Sequence, residues 1–218
     1  MELLESSPNL SVMDKNKAAY KLKGLPPVYV INLDEKPERW KFMEDQLKYW
    51  QVENYERISA YDGRGDNDLS EILKGKYPDQ MTSGEVGCTT SHLKALKRFL
   101  ETDAPCAIIM EDDCDISTAF HWNFSWKDFF AKVPYDYDVV QLAIINPASI
   151  TVQLHKRFVN DFSTACYMIT RYHAQKLINL HCRDDKYKLD QGVKPRAVAD
   201  DLIYNSGNTF AIPLFCYK

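Results

Sequence analysis

No apolar run in this 218-residue sequence approaches the roughly 20 residues that a membrane-spanning helix needs. The first 27 residues lack the basic, apolar and small-residue succession of a secretory signal, so a cytoplasmic protein is expected. There is no surplus of positive charge. With 27 Lys and Arg against 31 Asp and Glu, the formal charge is -4, which disfavours a general nucleic-acid binder. None of the six cysteines (Cys88, Cys106, Cys114, Cys166, Cys182 and Cys216) belongs to a CxxC pair, which favours reduced, buried thiols over a disulfide framework or a zinc site. Internal repeats and low-complexity tracts are missing too. What is present is a chain 45% hydrophobic and 12% aromatic, enough to fill a core, so disordered and fibrous classes are excluded. The length fits one domain, expected over residues 27–218, behind an N-terminal tail or weak helix over residues 1–26.

Val28 to Leu33 is a continuous apolar run of the kind found in a strand buried on both faces. Asp34 is placed to cap a helix with Pro37 in its first turn, along which Trp40, Met43, Leu47 and Trp50 repeat at helical spacing. Tyr55 to Ala60 reads as a second strand. Thr82 and Glu85 form a capping-box pattern ahead of a helix running to about Glu101. Strands follow at Cys106–Met110, Tyr137–Ile145 and Phe162–Thr170, with helices over Tyr172–Leu180 and Ala199–Asn205; the charged stretch Arg183–Arg196 is expected to be exposed. Strands alternating with helices predict an α/β fold whose central sheet is mostly parallel, with helices on both faces. In such sheets ligands gather at the carboxyl ends of the strands.

At one such end the chain reads Glu111-Asp112-Asp113-Cys114-Asp115. Four carboxylates in five residues repel one another, and a divalent cation relieves that repulsion. Residues two apart in an extended chain point the same way, so Glu111 and Asp113 are the expected ligands. Asp200-Asp201 is a second acidic pair, from which one carboxylate is expected to accept a proton, although aspartates also suit an ordinary helix N-terminus. His92 shares a helix face with Glu85, Cys88, Leu96 and Phe99, where a core-edge histidine is the plain reading. Arg39 faces either a phosphate or solvent.

Several pieces taken in order resemble glycosyltransferase family 25, the lipopolysaccharide-type and procollagen galactosyltransferases. They are Val30-Ile31-Asn32-Leu33-Asp34 with Pro37-Glu38-Arg39, Ser59-Ala60-Tyr61-Asp62-Gly63, Gly84-Glu85-Val86-Gly87-Cys88 with Ser91-His92, Ile109 to Asp113, Thr164 to Tyr167, and Ala199 to Leu202. The resemblance runs from about Pro27 to the C-terminus. It implies a GT-A type fold and a metal-dependent, inverting transfer of a hexose, leaning to galactose, from a UDP-sugar. The acceptor would be a hydroxyl of a glycan or of a collagen-like hydroxylysine. By position, Glu111 and Asp113 look like the motif that binds manganese, or magnesium in its place. Asn32, Leu33, Arg39, Asp62, Ser91, His92 and Asp112 look like the nucleotide-sugar side, and Asp200 or Asp201 like the catalytic carboxylate. Many GT-A enzymes add a late histidine to the metal shell, and no histidine follows His181 here. The chain is also short, so a further acceptor-binding domain and a retention anchor are not expected on it.

Two other readings remain. Asp113-Cys114-Asp115 imitates the nucleophile motif of haloacid-dehalogenase-like phosphohydrolases, although that motif normally sits on a first strand. A non-catalytic nucleotide-sugar-binding module would keep the sheet without turnover.

Overall fold

The computed structural model describes residues 20–65, 67–145, 152–190 and 197–218. Its first strand, β1 (Val28–Asn32), is buried at every position. Alternate side chains divide the core, since Val28 and Val30 join one apolar cluster and Tyr29 and Ile31 the other. The same division repeats in β3 (Cys106–Glu111), β5 (Val139–Ala143) and β7 (Cys166–Thr170). One sheet is thereby clad on both faces. Met43 and Leu47 of α1 (Pro37–Tyr49), with Trp50 just beyond it and Trp126 and Phe129 of α3 (Trp126–Phe130), cover the first face. The second is covered by α2 (Ser83–Leu100), α4 (Arg171–His181) and α5 (Ala199–Tyr204).

The strand order is β2-β1-β3-β7-β5-β10-β4, with β2 at Tyr55–Ser59, β4 at Cys114–Asp115 and β10 at Thr209–Tyr217; the short β6 (His155–Lys156) also pairs with β10. β2, β1, β3, β5 and β10 share one direction, and β7 runs against them between β3 and β5. In register, Ile31 sits beside both Ile58 and Glu111, so the carboxyl ends of β1, β2 and β3 finish level. Because β7 is reversed, its entry strand residues meet that same end, where the Glu111 N–H donates to the Ala165 carbonyl at 2.8 Å.

The capping box is present, with the Glu85 N–H donating to Thr82 Oγ1 and the Thr82 N–H to the Glu85 carboxylate. Three expectations are corrected. Asp34 does not cap α1, whose N-cap is Lys36; its carboxylate instead accepts from Arg57 at 2.7 Å and Ser59 at 2.8 Å. The strand expected from Phe162 begins only at Cys166 and is antiparallel to its neighbours. Of the Arg183–Arg196 stretch, residues 191–196 lie outside the described residues, and the rest is not wholly exposed, because a hairpin of β8 (Cys182–Arg183) and β9 (Lys186–Tyr187) buries Tyr187, and Leu189 beyond it. A strand the sequence analysis did not mark, β10, carries Ala211, Ile212, Leu214 and Phe215 into the core despite Pro213, which falls where its register with β5 shifts. Most of the N-terminal tail lies outside the described residues, but Leu22 is buried in the core.

Candidate functional site

β3 ends at Glu111, and Asp112 and Asp113 turn the chain into β4. The extended geometry expected to align Glu111 with Asp113 is therefore replaced by a turn that sends three carboxylates to three sets of partners. Glu111 accepts from Thr164 Oγ1 at 2.6 Å and lies 3.2 Å from His92 Nε2. Asp112 is buried and accepts from Asn32 Nδ2 at 2.7 Å and from Arg39 Nη1 at 2.8 Å. Asp113 has one oxygen 3.6 Å from Arg39, while its buried Oδ1 finds no hydrogen-bond partner among the described residues.

The electrostatics follow from these partners. Burial raises Asp112, against the pull of Asn32 and Arg39. Burial and then the Glu111 charge push Asp113 up to about 6. Burial also works against charge on His92 and on Glu111. For His92 that cost is outweighed by Cys88 and Glu111, which raise the imidazole; for Glu111 it is outweighed by His92 and Thr164, which hold the carboxyl low. The two form an ion pair whose histidine is sealed and whose carboxylate keeps 30% of its side chain open. The remaining His92 nitrogen is hydrogen-bonded to the Tyr167 hydroxyl at 3.1 Å.

Asn32, Leu33, Arg39, Asp62, Ser91, His92, Glu111 and Asp112 line one cleft of about 180 Å³. Arg39 and Asp112 also wall a second hollow of about 490 Å³, and Asp113 lies there. Asn32 is the hub between strands, donating to Asp112 and to the Lys36 carbonyl while accepting from Arg57 Nε at 2.7 Å. Asp62 forms a fork with Arg64, whose hydrogen bonds hold its carboxyl down to about 2. Ser91 clamps the loop after β2 onto α2, accepting from the Tyr61 N–H at 2.8 Å and donating to the Gly87 carbonyl at 2.6 Å.

That clamp requires glycine at two positions. A β-carbon at Gly63 would lie 1.8 Å from the Ser83 carbonyl oxygen, and one at Gly87 would lie 2.7 Å from the Tyr61 carbonyl oxygen and 2.8 Å from the Gly63 nitrogen. All three are backbone atoms, which cannot rotate away. Gly87→Ala is accordingly expected to lower unfolding stability by about 1–3 kcal/mol and to open the cleft wall. Equilibrium denaturation checks this, and an unchanged midpoint would contradict the close packing.

The late acidic pair separates. Asp200 Oδ1 accepts from the Ser163 N–H at 2.8 Å, and the next residue, Thr164, donates to Glu111, so consecutive residues hold the two carboxylates; burial raises the Asp200 carboxyl against the pull of the Ser163 hydrogen bond. Asp201 accepts from Asn205 Nδ2 at 3.0 Å, along its own helix. Ser163 has φ of 114°, a conformation that disfavours a side chain. Its carbonyl accepts from Gln141 and Tyr204, and its hydroxyl from the Ala165 N–H, which fixes the strained residue in place to present Asp200.

The sequence reading did not assign Arg57, Arg64, Thr164 or Tyr167 to the site. Arg64 had a signal, two residues beyond Asp62 in a turn; Thr164 and Tyr167 lay in a segment that carries the family resemblance, but their contacts depend on the reversal of β7, which the apolar pattern does not mark.

The structure is thus an α/β fold whose central, mostly parallel sheet is clad on both faces and carries an acidic turn at the carboxyl end of its third strand. The profile of glycosyltransferase family 25 (LPS biosynthesis protein) matches residues 25–191, and the chain belongs to that family. A Glycosyltransferase 25 family member of Drosophila pseudoobscura pseudoobscura is 26% identical over 125 residues, 53% of this chain and 20% of that protein. Procollagen galactosyltransferase 1-A of Xenopus laevis is 25% identical over 170 residues, 70% of this chain and 28% of its own length. The chain thus spans less than a third of either relative. A nucleoside-diphosphate-sugar pyrophosphorylase from Vibrio cholerae RC9 covers 91% of this chain and 76% of its own at a TM-score of 0.39 and 11% identity, a likeness too loose to argue from. No helix among the described residues is long and apolar enough to cross a membrane.

Proposed function

We propose that this chain transfers a hexose, with galactose the favoured candidate, from a UDP-sugar to a hydroxyl acceptor with inversion at the anomeric carbon. The observation that carries the reading is the convergence of Glu111, Asp112, Asn32 and Arg39 on one cleft, with Asp200 held by Ser163 next to the Thr164 that holds Glu111. Arg39 and Arg64 line that cleft and offer cationic forks to a diphosphate. Asp200 is the candidate base, and a carboxyl raised by burial is better matched to taking a proton near neutral pH than an exposed one. Inversion in one step needs the acceptor hydroxyl on the face opposite the departing diphosphate, with Asp200 within hydrogen-bond reach of its proton.

The residues present fit a divalent cation. The buried, unpartnered Asp113 Oδ1 and the carboxyl of Asp113, raised by burial and by the Glu111 charge, are uncompensated negative character that a cation would neutralise. Glu111 and Asp113 would hold manganese or magnesium, which when bound stabilises the charge on the leaving diphosphate.

A panel of UDP-sugars, read by UDP release in the presence of glycan acceptors and a hydroxylysine-containing collagen-like peptide, tests the reading. Acceptor-dependent UDP release and a product of inverted anomeric configuration support it. Donor binding without product would instead support the binding module, and magnesium-dependent hydrolysis of p-nitrophenyl phosphate the phosphohydrolase.

A further inference from the structure

Cys88 and His92 stand four residues apart on α2, which puts both side chains on one face of the helix. Glu111 reaches them from the end of β3. The sulfur, an imidazole nitrogen and a carboxylate oxygen all lie within 4.8 Å of one another. Ligand atoms around a tetrahedral zinc stand roughly 3.3–3.8 Å apart. His92 Nε2 and Glu111 Oε1 already stand at 3.2 Å, and Cys88, a free thiol that interacts with His92, has only a short side-chain adjustment left to make. The outer support of a metal site is in place as well. The Tyr167 hydroxyl engages the second His92 nitrogen and fixes the ring, while Thr164 hydrogen-bonds the Glu111 oxygen.

We propose that Cys88, His92 and Glu111 bind a thiophilic divalent cation of the zinc type. All three residues line the cleft, which supplies the fourth ligand as water or an oxyanion. Sulfur, nitrogen and oxygen donors together suit zinc or cobalt, whereas manganese and magnesium prefer oxygen alone. The site is therefore distinct from the cation expected at Glu111 and Asp113, although the two share Glu111. It goes beyond the transferase reading and does not require it. A cysteine four residues before a histidine on one helix forms half of such a site without any CxxC pair.

The test is a cobalt and zinc titration of the reduced full chain. Wild type is expected to bind one equivalent with a near-ultraviolet sulfur-to-cobalt charge-transfer band, and to compete for zinc against a chromophoric chelator. Cys88→Ser should remove the band and weaken zinc by more than about 100-fold, since even second-shell changes cost 10–100-fold. His92→Gln should weaken zinc comparably, while Cys216→Ser and Asp113→Asn should leave zinc affinity near wild type. Thermal melts of each variant without metal report its fold. The proposal is overturned if wild type binds no stoichiometric cobalt, if Cys88→Ser keeps the band, or if Cys216→Ser loses it. Loss of zinc affinity in Asp113→Asn would also overturn it, because that result assigns the ion to the carboxylate turn.

Discussion

Asp200→Asn is expected to lower the transfer rate by about 10²–10⁴-fold while leaving donor affinity close to wild type. Asp201→Asn should retain near-normal turnover. The two aspartates are adjacent on one short helix, and their environments decide between them. Asp200 is oriented by the Ser163 N–H and is electrostatically linked to Glu111 and His92, whereas Asp201 is engaged by Asn205 one turn along. Amide replaces carboxylate with little change of size, so a large loss in the Asp200 variant reports chemistry and not packing. Burial holds the Asp200 carboxyl above the ordinary carboxylate range, so its ionised, proton-accepting form is lost as pH falls through that raised value. The acid limb of the rate profile should consequently disappear in Asp200→Asn. Steady-state rates across pH, alongside calorimetric donor binding, measure both effects. A large rate loss in Asp201→Asn with an active Asp200→Asn would move the base to the other carboxylate.

Elements with strong local signals were readable before any fold was known. The Val28–Asn32 run is buried on both faces because both cores need it, and the Thr82–Glu85 box starts α2 through contacts three residues apart. Elements decided by distant partners were not. β10 is apolar at every position but Thr209 and Pro213, and the proline interrupts its local strand signal, so its place is fixed by pairing with β5, β6 and β4. The direction of β7 leaves no mark in its apolar pattern, yet it brings Thr164 and Tyr167 to Glu111 and His92. Asp34 looked like a cap because capping is local; its actual partners, Arg57 and Ser59, lie more than twenty residues on. The acidic turn was legible as a place of chemistry, since carboxylates directly following five buried apolar residues are conspicuous. How its three carboxylates divide their partners was not, because that depends on α1, α2 and β7 arriving from separate parts of the chain.

That division gives Glu111 and Asp113 opposite effects on stability. Glu111→Ala breaks the pair with fully buried His92, a loss of about 3–5 kcal/mol for a sealed ion pair. Because 30% of the Glu111 side chain meets the cleft, solvent screening reduces the expected cost to about 2–4 kcal/mol. Its lowered carboxyl stabilises the fold above the unfolded-state value of 4.5, and that contribution is lost as pH falls through the folded value. Asp113 runs the other way. Its carboxyl moves from 3.8 up to about 6, so its contribution is fully present below 3.8 and is lost as pH rises through about 6. At neutral pH the ionised group therefore opposes folding, and Asp113→Asn is expected to raise stability by about 1–2 kcal/mol in chelator. Urea denaturation with chelator should show the two variants on opposite sides of wild type near neutral pH, with both differences shrinking in acid. Added manganese should then stabilise wild type but not Asp113→Asn, because the repulsion that destabilises the free site is what a bound cation relieves. An Asp113→Asn variant less stable than wild type in chelator would show that the turn's charges are balanced by the protein alone.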